Sequence, residues 1–375
     1  MEEKKKKTLP SLPEELIIQI LLRLPVKFLI RFKCVCKSWF SLISDPHFTN
    51  SHFQLSAATP TRRVLFIVQS QYVETESIDL EASLNSDSSS TSLYLNFMFS
   101  ESGYELEIKG SCRGFILLHG YFNIYLWNPS TGIHKKLPLS RYGCTCSTYT
   151  YNRNYFYGFG YDHLTDDYLL VSLSQDPKLA NTKHFEFFSL RANKWKEIEG
   201  DFPYCNASDD PKRVGTLFNG AIYWYGFRHD LRYDVIVAFD LMERKLLEMG
   251  LPDDADFETK DCDVWVFGDF LSLWAMGNDN TTEIWVMKEY KVHSSWTKIL
   301  VLSINCNYID TDYFSLICST KSGDIIGSQG GTRLVKYNDR GELLEHLSYS
   351  YSPHGFQAAM YTESLLSLPA DSEQA

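Results

Sequence analysis

The chain has 375 residues, of which 44% are hydrophobic, so it is long enough for two or three domains and able to bury a core. No apolar run approaches the roughly 18 residues of a membrane span. The first ten residues lack a secretory signal, and the net charge of −11 argues against a general nucleic-acid binder. We therefore expect a protein of the cytoplasm and/or nucleus, with no membrane or nucleic-acid partner and with reduced cysteines.

Charge and composition are distributed unevenly along the chain. Residues 1–50 carry nine Lys or Arg and five Asp or Glu, a balance of +4, whereas the remaining residues carry a balance of −15. Helical patterns occupy the first 50 residues, while nearly all Gly, Tyr and Trp follow later in short strand-like runs. The sequence thus predicts a flexible basic tail (1–9), a helical domain (10–50), a linker (51–62), a β domain (63–368) and a flexible tail (369–375).

Three short helices are predicted in the first domain. Apolar residues recur at helical spacing over residues 16–24, behind Ser11 as an N-cap candidate. Pro25 suits the first turn of a second helix. A third helix runs through Trp39, and we expect Asp45-Pro46 to stop it.

Such a small helical domain needs additional stabilisation. Three helices in about 40 residues usually require a metal, disulfides or a partner. Cys34-Val35-Cys36 lacks the second pair of ligands that a zinc site would need. A partner surface is therefore the better explanation of the many Leu and Ile residues.

Four stretches of this domain resemble the plant F-box in order and spacing. They are Leu12-Pro13-Glu14-Glu15-Leu16, Ile20-Leu21-Leu22-Arg23-Leu24-Pro25-Val26-Lys27, Arg31-Phe32-Lys33-Cys34-Val35-Cys36-Lys37-Ser38-Trp39 and Leu42-Ile43-Ser44-Asp45-Pro46-His47-Phe48. The resemblance implies docking onto the acidic Skp-type linker of an SCF ubiquitin ligase, and through it onto a cullin. By that analogy, the residues that pack the domain or face the linker are Leu12, Pro13, Leu16, Ile20, Leu21, Leu24, Pro25, Val26, Leu29, Val35 and Trp39.

The charge of the same segment agrees with an acidic partner. Arg23 to Lys37 contains five basic residues and no acidic residue. Such a cluster speeds association with an acidic surface more than it tightens the complex. A solvated basic helix face is the other interpretation, and the two are compatible.

The long second segment is predicted to be all-β, with two interleaved series of hairpins. One series is anchored at Asn128, Ser189, Asp240, Met287 and Asn338, and the other at Gly114, Asp167, Gly220, Asp269 and Gly323. Each series recurs at steps of about 50 residues, so one unit contains four strands. This is the pattern of a kelch-like blade of a β-propeller.

About six such units would fill residues 60–368. Five are visible in the sequence, and the sixth would combine the early runs 64–68 and 93–97 with the late run 361–368. That combination would close the ring and leave no exposed inner edge. An open stack of hairpins is the alternative.

Scattered motifs in this segment resemble the F-box-associated, kelch-related (type 1) interaction domain of plant F-box proteins. They are Gly110-Ser111-Cys112-Arg113-Gly114, Leu126-Trp127-Asn128-Pro129-Ser130-Thr131-Gly132, Tyr157-Gly158-Phe159-Gly160-Tyr161-Asp162 and Ser364-Leu365-Leu366. The resemblance implies a module that recruits a protein target. Because S-locus and immune-regulating F-box proteins share this plan, it does not name the target.

The connection around residues 141–157 is about ten residues longer than its counterparts and is rich in tyrosine. Tyrosine and arginine dominate binding hot spots, because they bury a large area with few rotamers. We predict target contacts at Tyr149, Tyr151, Arg153 and Tyr155. Alternate tyrosines that simply pack a strand are the equally weighted alternative.

The sequence shows no pattern of a catalytic, metal or cofactor site. Neither GxSxG nor HExxH is present, and the ten histidines never pair at metal-ligand spacing. We therefore predict a non-catalytic adaptor without a cofactor, which docks a ligase through the F-box and captures a protein through the propeller. The alternatives are a stand-alone protein- or glycan-binding propeller without ligase assembly and, less favoured, a propeller hydrolase.

Overall fold

Helices precede a ring of β-sheets in the computed structural model of the chain. The structure describes residues 12–56, 62–69, 73–79, 90–93, 106–120, 123–142, 156–175, 182–207, 214–253, 262–277, 281–303, 314–329, 333–348 and 356–368. None of the described helices is long and apolar enough to cross a membrane.

The helical segment contains α1 Glu14–Leu21, α2 Val26–Phe32, α3 Lys37–Ser44 and α4 Pro46–Ser56. Prolines occupy the N-cap positions of α1 and α2, at Pro13 and Pro25. Proline has no backbone N–H to leave unsatisfied at a helix start, and its restricted φ suits the approach to the first turn. Ser11, our N-cap candidate, lies outside the described residues, and the described helix begins after Pro13 instead.

The prediction of three helices was wrong, because a fourth helix follows directly. We interpreted Asp45-Pro46 as a helix stop, but it also starts α4. The Asp45 carboxylate accepts a hydrogen bond of 3.0 Å from the backbone N–H of Phe48, and Pro46 is the first helical residue. Aspartate at the N-cap and proline at the next position are favourable for a helix start. Helix α4 therefore crosses the boundary that the sequence predicts at residue 50.

Twenty-five strands form the ring in the part of the chain that the structure describes. In chain order they are β1 Arg62–Gln69, β2 Val73–Asp79, β3 Ser90–Leu93, β4 Glu107–Cys112, β5 Phe115–His119, β6 Ile124–Trp127, β7 His134–Leu137, β8 Phe156–Asp162, β9 Asp167–Gln175, β10 Lys183–Ser189, β11 Lys194–Ile198, β12 Tyr204–Asn206, β13 Thr216–Phe218, β14 Ala221–Arg228, β15 Tyr233–Asp240, β16 Lys245–Met249, β17 Cys262–Phe267, β18 Phe270–Met276, β19 Thr281–Met287, β20 Trp296–Ser303, β21 Phe314–Ser319, β22 Ile325–Gln329, β23 Arg333–Tyr337, β24 Leu343–Ser348 and β25 Phe356–Thr362.

These strands form six antiparallel sheets, which are the blades of a propeller. Blade 1 has the order β25-β1-β2-β3, and blades 2 and 3 contain β4–β7 and β8–β11. Blade 4 contains β12–β16, and blades 5 and 6 contain β17–β20 and β21–β24. The prediction of an all-β, kelch-like propeller of about six blades is confirmed.

The core lies between neighbouring blades. Strands β5 and β6 are buried at every position, whereas the outer strand β7 is mostly exposed. The described residues form six apolar clusters in the ring, and each cluster combines side chains of two adjacent blades. Because one of these clusters joins blade 6 to blade 1, the ring is closed and the open stack of hairpins does not apply.

The ring closes between the two ends of the β domain. Strand β25 pairs antiparallel with β1, from Arg62 opposite Thr362 to Val68 opposite Phe356. The early run 64–68 lies in β1 as predicted, whereas residues 94–97 of the second early run lie outside the described residues. The prediction that residues 361–368 form a strand was wrong for most of this run. Strand β25 ends at Thr362, and residues 363–368 leave the sheet toward the helices.

Candidate docking surface and recruiting face

The structure separates the predicted F-box residues into a packing group and an exposed group. Leu21, Val26 and Leu29 are buried in the core of the helical segment, with Leu29 fully inaccessible to solvent. Leu24 and Trp39 are half-buried and pack against the same cluster. The Trp39 ring lies 5.5 Å from the Phe32 ring, centroid to centroid. These five predicted residues therefore stabilise the helices.

The other six predicted residues face solvent. They are Leu12, Pro13, Leu16, Ile20, Pro25 and Val35. Leu16 and Ile20 lie four positions apart on α1 and are 50% and 51% exposed, while Leu21 next to them is 1% exposed. A helix with an apolar face on each side buries one face in its own core and leaves the other for a partner.

Two further apolar side chains are exposed on helices α2 and α3. Phe40 in α3 is 57% exposed, and Phe28 in α2 is 45% exposed. Phe40 is not among the residues that the resemblance indicates, although its position next to the half-buried Trp39 places it on another side of α3. We call Leu12, Leu16, Ile20, Phe28, Val35 and Phe40 the exposed apolar set.

The basic residues of the helical segment mostly face solvent as well. Arg23, Lys27, Arg31 and Lys37 are exposed, whereas Lys33 is half-buried and its burial lowers the pKa of its ammonium group. Arg23 donates a hydrogen bond of 2.6 Å to the Gln19 carbonyl, which holds its guanidinium along α1. Exposed positive charge near exposed apolar groups suits an acidic partner.

Helix α4 joins the helical segment to blades 2 and 3. The Arg113 guanidinium donates a hydrogen bond of 3.2 Å to the Asn50 side-chain oxygen. Its central carbon lies 4.8 Å from the Phe53 ring centroid and 3.9 Å from the Tyr161 ring centroid. Arg113 therefore stacks against one aromatic ring from α4 and one from β8.

These contacts define the two faces of the propeller. Neighbouring strands of a blade are antiparallel, so consecutive connections lie alternately on opposite faces. The β4–β5 turn at Arg113 and Gly114 touches the helices, and its face is called the F-box face. The opposite face, called the far face, is reached by the end of β7 at Leu137 and by the start of β8 at Phe156.

The predicted target contacts fall between those two strands in the sequence. Tyr149, Tyr151, Arg153 and Tyr155 lie outside the described residues, so their role stays a prediction. The end of β7 and the start of β8 lie on the far face, opposite the face that contacts the helices.

Described residues next to this connection form an aromatic and ionic group. The Tyr142 and His184 rings stack with centroids 3.5 Å apart and an interplanar angle of 2°. His184 Nδ1 lies 2.6 Å from a carboxylate oxygen of Glu197. We did not predict these residues from the sequence, although the start of β10 at His184 and the end of β11 at Glu197 belong to the far face by the strand alternation.

A second group lies at the far-face end of blade 4. Arg228 pairs with Glu248 at 2.5 Å and with Asp230 at 3.0 Å. Tyr233, which is 40% exposed, donates a hydrogen bond of 3.1 Å to Glu248. The hydrogen bond from Arg228 lowers the pKa of the Asp230 carboxyl below its ordinary value.

A buried polar layer lies beneath the far face between blades 2 and 3. Lys109 is 4% exposed, pairs with Glu107 at 2.7 Å and lies 5.1 Å from the Tyr157 ring centroid. The His119 ring lies 5.6 Å from the same ring. Burial, together with the charge of Lys109, lowers the pKa of His119 to about 4. His119 is therefore a neutral imidazole at neutral pH.

Comparison with known proteins agrees with this architecture. Residues 63–336 match the family of F-box associated beta propeller domains, and residues 9–51 match the F-box domain. The chain belongs to the F-box associated beta propeller family, with an F-box at its amino-terminal end. Among the described residues, no three His, Cys, Asp or Glu side chains lie close enough together to hold a metal ion.

Its relatives include F-box proteins of Arabidopsis thaliana. An F-box/kelch-repeat protein of Arabidopsis thaliana is 28% identical over 299 residues, which cover 77% of this chain and 79% of the relative. F-box protein CPR1 of Arabidopsis thaliana is 27% identical over 377 residues, which cover 95% of this chain and 89% of the relative. Among solved structures, apo AztD from Citrobacter koseri is 6% identical, with a TM-score of 0.42 and coverage of 80% of this chain and 98% of that chain.

Proposed function

We propose that this protein is a substrate-recruiting subunit of an SCF-type ubiquitin ligase. The F-box binds a Skp-type linker and, through it, a cullin, while the propeller holds a protein target. Both matched domains and the F-box relatives support an adaptor role in general. We expect the complex in the cytoplasm, the nucleus or both.

The observation that carries the proposal is the exposed apolar face of α1. Leu16 and Ile20 lie on this face, opposite a core that is already filled by Leu21 and Leu29. Burial of exposed apolar area contributes about 25 cal/mol per Å², so covering these side chains is favourable for a partner. The surrounding positive charge selects an acidic partner and accelerates the encounter.

No chemistry is required of the adaptor. Holding the target beside a charged conjugating enzyme raises the effective concentration of the target's lysines, and this alone accelerates transfer. The far face suits the target, because it leaves the helices free for the linker. The groups around His184 and Arg228 are the described candidates for target contact.

Equilibrium binding of a purified Skp-type linker to the full chain tests the docking step. We expect Ile20→Asp to weaken binding by about 30-fold or more, because a carboxylate would be desolvated in the contact. Leu344→Asp is the matched control, since Leu344 is 50% exposed on β24 of the propeller. Leu24 is unsuitable for this test, because it packs against the helical core.

Three outcomes of this measurement are informative. Tight binding by the wild type and by Leu344→Asp, with loss in Ile20→Asp, supports the proposal. A wild-type chain that binds no linker would favour a stand-alone binding propeller. Equal binding by all three chains would remove α1 from the interface.

A further inference from the structure

We propose that closure of the propeller ring completes the docking domain, so that the F-box is competent to bind only when the ring is closed. The segment that couples the two events is Ser364-Leu365-Leu366, directly after the closing strand β25. The binding part of this inference rests on the proposed function. The coupling itself does not, because it is a property of the free chain.

The F-box core takes one of its residues from the opposite end of the chain. Its buried cluster contains Leu21, Leu22, Val26, Leu29, Ile43, Phe48 and Leu365. Leu365 is 2% exposed and is the only buried member of this described cluster that lies outside residues 12–56. A core of this size is marginal, so one missing leucine removes a large share of its stability.

The next residue belongs to the propeller. Leu366 is 3% exposed and lies in the apolar cluster between blades 2 and 3. Two consecutive leucines therefore fill two different cores. Neither side chain can leave its site without shifting the other, because they share one stretch of backbone.

Hydrogen bonds hold this segment on blade 2. The Asn128 amide donates to the backbone carbonyls of Ser364 and Leu366, each at 3.1 Å. The Ser364 hydroxyl donates to the Arg113 carbonyl at 3.1 Å, and the Ser364 N–H donates to the Ser130 hydroxyl at 3.3 Å. Since Ser364 is fully buried, these bonds replace water that the segment has lost.

The closing strand determines where the segment lies. Thr362, the last residue of β25, pairs with Arg62 at the start of β1, and Leu365 follows three residues later. Near the start of β25, the Gln357 side-chain amide bridges to blade 2. It accepts a hydrogen bond from the Ile108 N–H at 2.8 Å and donates one to the Leu106 carbonyl at 3.1 Å. When β25 leaves the ring, Leu365 loses the support that places it in the F-box core.

This arrangement makes docking a late event. Leu365 follows β24 and β25 in the sequence, so during synthesis the helices gain this core residue only after the strands of all six blades have been made. A chain with an open ring would then present a loosened F-box and would not occupy the ligase. The ligase would thus receive only adaptors whose recruiting domain is complete.

Hydrogen exchange of the full-length chain tests the coupling without any partner. We expect Leu365→Ala to accelerate amide exchange in α1–α3 by about 30-fold or more, because it leaves a cavity in their core. Gln357→Ala removes hydrogen bonds that hold β25 at a site remote from the helices. We expect it to accelerate exchange of the same α1–α3 amides. Leu344→Ala is the matched control, because it truncates an exposed leucine, and it should leave these amides unchanged.

Wild-type exchange of α1–α3 in Leu365→Ala overturns the inference, and so does wild-type exchange of α1–α3 in Gln357→Ala. If Leu365→Ala does not yield folded protein, Leu365→Val answers the same question with an effect of roughly 3- to 10-fold. Linker affinity is then measured on the same variants, and it should fall in parallel with protection. A wild-type chain without linker binding would contradict the proposed function but not the coupling.

Discussion

The side-chain amide of Asn128 donates a hydrogen bond of 3.1 Å to the backbone carbonyl of Ser364, which is 236 positions later in the chain. Asn128 begins the β6–β7 turn, and its side-chain oxygen also accepts from the Ser130 N–H at 2.9 Å. One buried asparagine therefore shapes a local turn and secures the segment that follows the closing strand. This dual role distinguishes it from the equivalent residues of other blades.

Asn128→Ala should destabilise the protein by about 2–3 kcal/mol, because two buried carbonyls lose their donor. Asn338 is a natural control, since it lies at the same place in the repeat but bonds only within its own turn, to Arg340 and Glu342. In urea unfolding, Asn338→Ala should lower the free energy of unfolding by less than about 1 kcal/mol. Similar losses in the two variants would contradict the dual role of Asn128.

Arg113→Lys should lower the free energy of unfolding by about 1–2 kcal/mol, although the positive charge is retained. The planar guanidinium stacks on Phe53 and Tyr161, and a lysine ammonium does not reproduce that geometry. Arg191→Lys is the control, because Arg191 forms an exposed pair with Asp166 and should cost less than about 0.5 kcal/mol. Equal thermal stability of Arg113→Lys and wild type would show that the stacking contributes nothing.

Trp39→Ala should destabilise the protein by about 2–3 kcal/mol, less than the 3–5 kcal/mol typical of a fully buried aromatic residue. The reason is that the ring is only half-buried, although it contacts Phe32. Phe40→Ala, at the exposed neighbour, should change stability by less than about 0.5 kcal/mol. Chemical denaturation monitored by helical circular dichroism measures both changes in stability. Equal effects of the two substitutions would contradict the assignment of Trp39 to the core and of Phe40 to the surface.

Stability should decrease in mild acid because of His119. Its folded pKa of about 4 lies below the ordinary 6.5, so its contribution is complete above pH 6.5 and is lost as the pH falls toward 4. The full contribution is about 3 kcal/mol. His119→Gln should flatten the dependence of unfolding free energy on pH in this window, and an unchanged slope would exclude His119 as its source. Lys109 and Glu107 are the charged neighbours that influence this titration.

Much of the fold could be predicted from the sequence, because short-range repetition specifies a propeller. The turns at Arg113-Gly114 and Asn219-Gly220 recur at blade spacing, and both are hairpin turns with positive φ in the structure. Alternation of buried inner strands and exposed outer strands is likewise a local pattern. Counting these turns gives five blades, and the remaining length of the β domain gives the sixth.

The rest depends on contacts that no local pattern records. Asp45-Pro46 is compatible with ending one helix and with starting another, and the burial of Phe48 and His52 in α4 makes the second helix favourable. The late run 361–368 is apolar because Leu365 and Leu366 enter two separate cores, although we interpreted it as a strand. Exposed and buried F-box leucines are similar in type, so only the packing of α1 separates Ile20 from Leu21.

Reconstitution from purified components tests the adaptor role most directly. The full chain is mixed with a Skp-type linker and a cullin, and the products are separated by size-exclusion chromatography with light scattering. We expect one complex that contains all three proteins in equal amounts, and we expect Ile20→Asp to elute alone while Leu344→Asp assembles as the wild type does. A wild-type chain that stays separate from the linker–cullin pair, or an Ile20→Asp chain that joins it fully, would contradict the adaptor role.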